Sequence, residues 1–304
     1  MSLLIKGKNM HVPFVERAVQ LKKRTGWLVW LFCLITVFVA QPASADQYVS
    51  DDWHVMVAPY VWGIAMDGDV TVDGREGEVD MSFSDILKDL NIALMLDIEA
   101  RKNRFGIFIN PLYSNTENDS TTNLLSGTPL EQKYKINMEI DLFIMNVGPF
   151  YRFGPWDLDS SNGKTDKLLI IDVMAGVRYT YLQINLDLDR KSGAPIPELP
   201  GHISEDGDKS WVDPIVGGRA TFILSPQWKV SVLGDIGGFG VGSDFAWMVT
   251  AGVGYTFKAF GDRDSEFYVG YRALNMDYSD GSGEDKFEWD VTLKGPLVSM
   301  GVAF

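Results

Sequence analysis

Residues 296–304, PLVSMGVAF, decide the fold class of this chain. Successive side chains of a β-strand point to opposite faces. One face of this segment is bulky and apolar, with Val298, Met300, Val302 and Phe304, and the other is mostly small, with Leu297, Ser299, Gly301 and Ala303. A bulky apolar face that ends on an aromatic residue is typical of the last strand of a membrane barrel. The buried last strand of a soluble sandwich fits this segment equally well.

The N-terminal segment separates these two interpretations. Lys22, Lys23 and Arg24 precede an apolar run over residues 28–40, and the small-residue motif Ala-Ser-Ala follows at 43–45. This order is that of a secretory signal peptide, and the run is short for the roughly 20 residues of a transmembrane helix. We therefore expect cleavage after Ala45, which gives a signal peptide over 1–45 and a barrel domain over 46–304.

Charge and cysteine content restrict the partners of the exported domain. Residues 1–45 carry six Lys or Arg and one Glu, so their removal takes the net charge from −14 to −19. Nucleic-acid binding is not expected, because phosphate contacts need clustered Lys and Arg. Acidic loops are instead expected to meet lipid and lipopolysaccharide through divalent cations, which favour carboxylate ligands. The only cysteine is Cys33, so the domain has no disulfide to rely on.

Alternation of apolar and polar residues recurs along residues 46–304. Between residues 91 and 101, an aliphatic face lies opposite the charges Asp97, Glu99 and Arg101. In a membrane barrel the aliphatic face contacts lipid and the charged face lines the interior. The same interpretation of residues 133–144 places Tyr134, Ile136, Met138, Ile140, Leu142 and Ile144 against lipid and Lys133, Lys135, Asn137, Glu139 and Asp141 inside.

Ten segments with this pattern predict an all-β fold, a single antiparallel transmembrane barrel with eight or twelve strands as alternatives. They cover 53–65, 91–102, 104–117, 131–153, 167–189, 210–224, 227–237, 244–258, 265–279 and 286–304. An even count and an alternation of short turns with longer loops are typical of bacterial barrels. Longer loops are expected at 66–90, 118–130, 190–209, 238–243 and 280–285. The alternation changes parity near 145–147, 181–182 and 294–295, which predicts β-bulges there.

The charges predicted to face the lumen have both signs. They are Asp97, Glu99, Arg101, Glu139, Asp141, Asp172, Arg178, Asp213, Arg219, Asp235, Arg272, Asp290 and Lys294. A ten-stranded barrel is narrow, so its interior is expected to be filled by side chains. Buried charges of opposite sign are then expected to pair, because an isolated buried charge is costly. An ion-selecting channel is the alternative.

Four further segments are candidates for a function or for a distinctive local structure. Residues 81–90 have helical spacing, which predicts either a plug in the lumen or a turn packed on the rim. His202, with Glu205, Asp206 and Asp208 nearby, is the candidate base of a hydrolase at the outer rim. Asp67, Asp69 and Asp73, like the acidic residues after His202, lack the spacing of a calcium loop, so no metal site is predicted. Residues 237–242, GGFGVG, predict a tight hairpin with positive φ.

Several motifs resemble a family of largely uncharacterised proteobacterial outer-membrane β-barrels, similar in architecture to OmpA-like and small porin-like barrels. These motifs are WHVMVAPYVW at 53–62, EAR at 99–101, WVDPIVGGR at 211–219, GDIGGFGVGSD at 234–244, VGYR at 269–272 and the terminal Phe304. The resemblance implies the fold and the outer-membrane location, and it implies no activity.

The sequence therefore predicts a non-enzymatic outer-membrane protein without a cofactor, either a narrow pore or a structural and surface-binding barrel. A hydrolase of peptide or lipid that uses His202 is the alternative. Phe304 is expected to be the mark read by the outer-membrane assembly machinery. The oligomeric state and any solute stay open.

Overall fold

The two-residue period of the sequence produces twelve strand segments and one α-helix in the residues that the structure describes. A computed structural model describes residues 48–72, 74–124, 132–158, 167–192, 202–261 and 263–304. The predicted signal peptide and Cys33 lie outside these ranges. The elements are β1 (Trp53–Trp62), β2 (Ala65–Val72), β3 (Arg75–Met81), α1 (Phe83–Asp89), β4 (Leu90–Lys102), β5 (Phe105–Leu124), β6 (Gln132–Asp157), β7 (Leu168–Ser192), β8 (His202–Ile223), β9 (Trp228–Gly237), β10 (Phe245–Ala259), β11 (Arg263–Asp280) and β12 (Phe287–Ala303).

Ten of these strands close into an antiparallel barrel. Strands β4 to β12 pair in chain order, β1 pairs with β4, and β1 also pairs with β12. The closing pair runs from Met56 opposite Ala303 to Trp62 opposite Leu297. The predicted all-β fold and the count of ten strands are confirmed.

Strands β2 and β3 extend two wall strands beyond the closed part of the barrel. β2 keeps the register of β1 against β12, since Trp62 pairs with Leu297 and Ala65 with Lys294. Paired residue numbers add to 155 between β1 and β4 but to 147 between β2 and β3. β3 and β4 are therefore one wall strand interrupted by an eight-residue insertion, residues 82–89, which contains α1.

The strand β12 shows how the environment changes along the wall. Between 296 and 304, its outward residues are Val298, Met300, Val302 and Phe304, and its inward residues are mostly small. Between 287 and 293 the polarity is inverted, because Phe287, Trp289, Val291 and Leu293 point inward and are buried while Glu288 and Asp290 point outward. The two faces keep their parity throughout.

The same inversion occurs in β6 and β7, and it corrects the predicted bulges. The β6–β7 register is continuous through Asn146–Val147 and Tyr181–Leu182, and the β11–β12 register is continuous through Lys294–Gly295. Register shifts occur instead at Leu90/Ile92, Lys133/Tyr134 and Phe153/Trp156 among the described pairs. At the three places where the sequence predicts bulges, the strand pairing does not shift. The sequence pattern changes there because the outer face of the strand passes from apolar to aqueous surroundings.

An apolar band surrounds the half of the barrel that lies next to the short turns. Exposed apolar side chains occur there on all ten wall strands, among them Leu94, Ile107, Val177, Val216 and Val253. Aromatic residues rim the band near the short turns, where Phe105 contacts Tyr151 at 4.8 Å and Trp228 contacts Tyr255 at 4.9 Å between ring centroids. At the end of the chain the band covers the nine residues 296–304, which matches the roughly 9–11 needed to cross a bilayer. The fold is a transmembrane β-barrel.

No helix among the described residues is long and apolar enough to cross a membrane.

Beyond the band, the wall separates into two four-stranded sheets. β4 begins at Leu90, β9 ends at Gly237 and β10 begins at Phe245, so these strands do not continue outward. The longer strands form one sheet from the outer ends of β5, β6, β7 and β8 and a second sheet from β11, β12, β2 and β3. Their inward faces share one apolar core, which contains Leu142, Leu182, Trp211, Met276 and Trp289. We call these two sheets and their core the outer extension.

Candidate functional site in the barrel interior

The interior of the membrane-embedded half contains a buried ion cluster around Asp172 on β7. Its carboxylate is fully buried and accepts hydrogen bonds from Arg152 Nε at 2.7 Å and from Arg219 Nη2 at 2.8 Å. Arg219 also donates to both carboxylate oxygens of Glu99. Four strands, β4, β6, β7 and β8, are therefore joined across the lumen. Charge-assisted and bidentate bonds of this kind are the strong ones.

A second buried pair lies deeper along β7. Arg178 is fully buried and donates from Nη2 to Asp235 at 2.8 Å and from Nε to Asn146 at 2.7 Å. The carboxylate of Asp235 and the amide of Asn146 hold the guanidinium from opposite walls. These partners satisfy most of what a buried arginine requires.

Asp97 and Arg272 face the same space without a close ion pair between them. Arg272 donates to Thr250 Oγ1 at 3.0 Å and to the Tyr60 hydroxyl at 3.1 Å. Its guanidinium also lies 5.0 Å from the Tyr60 ring centroid, a cation–π contact. Asp97 is hydrogen-bonded to Asn110. Asn110 accepts from Tyr60 at 3.3 Å and from Asn146, the partner of Arg178, at 3.4 Å, so neutral side chains link these two charges to the second buried pair.

The polar interior surrounds a cavity of about 290 Å³ near the short turns. His54, Arg101, Arg219, Lys229 and Glu266 are among its lining residues, and Lys229 pairs with Glu266. Toward the longer loops the cavity ends at Tyr60, Leu233 and Leu297. The cavity is therefore a recess that opens toward the short turns.

The apolar core of the outer extension fills the lumen beyond this recess. Ala246, Met276, Val291 and Leu293 have no exposed surface, and Leu142, Leu182 and Leu274 are at most 2% exposed. Trp211 stacks on Tyr278 at 4.3 Å and 9° across the core. These buried apolar side chains occupy the lumen of this half of the barrel.

The structure corrects the predicted positions of Glu139, Asp141, Asp290 and Lys294. Leu142 and Tyr134 on β6 are the inward, buried residues, so Glu139 and Asp141 lie on the outer face of the extension. There Asn115 donates to both, at 2.8 and 3.1 Å. Asp290 and Lys294 also point outward, and Lys294 lies 3.6 Å from Asp67. An apolar face opposite a charged face can contact either lipid or a protein core. In this part of β6 the apolar face contacts the protein core.

The other predicted lumen residues lie inside the barrel. Asp97, Glu99, Asp172, Arg178, Arg219, Asp235 and Arg272 occupy the positions described above. Arg101 is buried near the short turns and donates to the Asn103 carbonyl at 2.9 Å. Asp213 is fully buried and accepts from Ser243 N at 2.6 Å and Ser243 Oγ at 2.8 Å.

Asp213 therefore holds the 238–243 hairpin, whose predicted positive φ values occur at Gly238, Phe239 and Gly240. The carboxylate fixes this hairpin against β8, which closes the wall where β9 ends.

Sequence reasoning missed Arg152, Lys229 and Glu266. Arg152 lies on the same face of β6 as Tyr134 and Leu142, which the alternation had placed against lipid. The signal that identifies Arg152 is the change from apolar to polar residues along one face at Asn146. The alternation in 228–236 puts Lys229 on the same face as Asp235, but neither Lys229 nor Glu266 was included among the predicted lumen charges.

His202 lies in β8 rather than in a loop, and its carboxylate partner is Asp189. Nδ1 of His202 is 2.8 Å from Asp189 on β7, and both residues are exposed. The hydrogen bond to His202 lowers the pKa of Asp189 below its ordinary value. Side chains of Glu205 and Asp73 and residues 193–201 lie outside the described parts. Among the described residues, no group of three His, Cys, Asp or Glu side chains is arranged to hold a metal ion.

The predicted helix at 81–90 is present as α1, Phe83–Asp89. Only Ile86 is buried in the apolar core, whereas Phe83 and Leu87 stay 37% and 53% exposed. α1 is therefore an insertion at the wall of the outer extension and not a plug of the lumen.

Comparisons with known proteins found similar chains among the solved structures alone. No family model matches the chain, and no curated protein matches it. Solved structures similar to it include the attachment invasion locus protein Ail of Yersinia pestis, with 11% identity, TM-score 0.31 and coverage of 83% of this chain and 98% of that one. The toluene transporter TodX of P. putida has 9% identity, TM-score 0.28 and coverage of 85% and 91%. A Pseudomonas aeruginosa FadL homologue has 10% identity, TM-score 0.25 and coverage of 83% and 90%.

Because these TM-scores are low, the fold assignment rests on the strand pairing of this chain. The resemblance to an uncharacterised barrel family stays a prediction.

Proposed function

We propose that this chain is a non-enzymatic, non-conducting outer-membrane protein that anchors the outer extension at the cell surface. The observation that carries the proposal is the apolar core, because its fully buried residues Ala246, Met276, Val291 and Leu293 occupy the path that a solute would take. Of the two functions predicted from the sequence, the structural and surface-binding barrel is therefore favoured over the narrow pore.

The proposed location follows from the band and from the connections. An apolar exterior with aromatic rims and a polar interior is the pattern of outer-membrane barrels. In such barrels the short turns face the periplasm, which places the recess there and the outer extension outside. Lipid and lipopolysaccharide then contact the band, and the assembly machinery is proposed to read Phe304.

Reconstitution into planar bilayers tests the proposal. The full-length mature protein is expected to give flat current traces, with a general porin reconstituted in the same way as the positive control. A variant with Trp211→Ala, Met276→Ala and Trp289→Ala, checked for folding by its heat-dependent gel mobility, is expected to show conductance because it empties the core. Steady channels in the unmodified protein would overturn the proposal.

A further inference from the structure

The outer extension has an unpaired boundary between its two sheets. β3 (Arg75–Met81) pairs with β2 on one side, and no described strand pairs with its other edge. Residues 117–124 of β5 pair with β6 alone, because the β4–β5 pairing stops at Thr116. β3 continues the line of β4 around the wall, so these two edges face each other. We call this boundary the seam.

The opposite boundary of the extension is closed by side chains. There Trp211 of β8 stacks on Tyr278 of β11, and Lys209 binds Asp280 at 2.6 Å. Lys209 also lies 5.6 Å from the Phe287 ring centroid. At the seam, α1 contacts β5 and β2, and Asn91 donates to Glu117 at 3.4 Å at the base.

An unpaired strand edge presents backbone N–H and C=O groups to which another strand can pair. Behind the seam, Val79 and Met81 point inward and pack on the apolar core. An added strand would therefore place every second side chain toward apolar neighbours and the others toward water.

The charges on the two edges select the kind of strand. Glu76, Glu78 and Asp80 are exposed on the outer face of β3, and Glu117 and Asp119 are exposed on that of β5. Only Asp119 has a described cationic partner among these, Lys135 at 3.0 Å. A second copy of this chain would bring carboxylates against carboxylates, which is destabilising across strands.

We propose that the seam binds an extended cationic peptide as an added β-strand. The peptide has seven or eight residues, the length of the two edges, with alternate apolar side chains toward the core and alternate Lys or Arg toward the carboxylates. This proposal rests on the proposed function to the extent that the outer extension must stand outside the membrane.

The test measures binding of a labelled peptide, acetyl-(Lys-Val)₄-amide, to the mature protein in lipid nanodiscs by fluorescence anisotropy. The double variant Glu78→Lys with Glu117→Lys is expected to weaken binding at least tenfold. The matched control reverses two outward carboxylates of the other strands, Asp187→Lys with Asp206→Lys, and is expected to change the Kd by less than twofold. A peptide N-methylated at every residue is expected not to bind, since it cannot donate hydrogen bonds to either edge.

Hydrogen exchange gives an independent readout. The alternate amides of 117–124 that point toward the seam, and not toward β6, are expected to exchange rapidly in the free protein and to become protected with the peptide, whereas 132–142 stay unchanged. Protection of these seam-facing amides without peptide, absence of binding, binding of the N-methylated peptide or equal weakening by the control pair would each overturn the seam proposal. Channel activity in planar bilayers would overturn the proposed function instead, so the two failures are distinguishable.

Discussion

Replacing Asp172 by alanine tests how much the buried ion cluster contributes to the stability of the barrel. The carboxylate has no exposed surface and accepts two bonds from Arg152, at 2.7 and 2.9 Å, and two from Arg219, at 3.0 and 2.8 Å. After its removal, Arg219 keeps Glu99, but among the described residues Arg152 keeps no carboxylate partner, only the distant Tyr48 carbonyl at 3.5 Å and the Phe150 ring at 5.9 Å. Breaking a buried pair in this way costs about 3–5 kcal/mol, because a charge is left uncompensated.

The matched control is Asp119→Ala, which breaks an exposed pair with Lys135. The side chains of that pair are 56% and 40% exposed, so the expected cost is about 0–1 kcal/mol. Urea unfolding in lipid vesicles, followed by tryptophan fluorescence, gives both free energies of unfolding. If Asp172→Ala lost no more stability than Asp119→Ala, the interior would be hydrated and the cluster would not hold the four strands together.

Four further predictions concern single positions. Gly295→Ala is expected to cost about 1–3 kcal/mol of unfolding free energy, since its Cβ would lie 1.8 Å from the Gly63 carbonyl oxygen. The control Gly207→Ala, with open space around it, is expected to change nothing in the same titration. Asp277 stands directly opposite Asp290, and burial together with the Asp290, Asp244 and Glu288 carboxylates raises the pKa of Asp277. Asp277→Asn is therefore expected to stabilise the protein by about 0.2–1 kcal/mol at pH 7. A raised carboxyl pKa makes ionisation of Asp277 unfavourable in the folded state. The stability gain of Asp277→Asn must therefore shrink as the pH falls through the folded pKa toward the ordinary value of 3.8. A stability gain that persists in acid would contradict repulsion and burial as the cause. Phe304→Ala keeps the backbone pair with Val55 and removes a ring that lies 4.3 Å from the Arg263 guanidinium and is 60% exposed. It is expected to reduce the folded fraction in outer membranes while purified protein keeps its unfolding free energy, and equal losses in both would remove the assembly role. His202→Ala is expected to leave any peptide or lipid hydrolysis by the purified protein unchanged, and loss of hydrolysis in that variant alone would restore the enzyme hypothesis.

The sequence was sufficient for the strands at membrane depth. β4 lies entirely within the apolar band, so its aliphatic face meets lipid and Asp97, Glu99 and Arg101 point inward, as the alternation predicts. The ten strands followed from the same period, because each crossing repeats a pattern of fixed length bounded by turn residues.

The outer extension was not predictable from the period alone. In β6, an apolar face opposite Glu139 and Asp141 has the same pattern whether that face meets lipid or a protein core. Only the pairing of the long strands shows that these residues stand beyond the band. Arg152 was not among the predicted lumen charges, although the predicted change of parity at 145–147 puts its position on the lumen side. The seam depends on where β4 begins and on the insertion at 82–89, which tertiary packing determines.

Cysteine scanning of β6 from 137 to 151 tests the central claim most directly, because the predicted mature chain contains no cysteine. A membrane-impermeant maleimide is expected to label odd positions up to 141, and a lipid-borne quencher is expected to reach fluorophores at odd positions from 145 onward. Even positions are expected to be poorly accessible to both reagents. This result would show one continuous strand whose outer face passes from water into lipid. Quenching by lipid at even positions between 138 and 144 would contradict the account, because it would place the apolar face of the extension against the membrane.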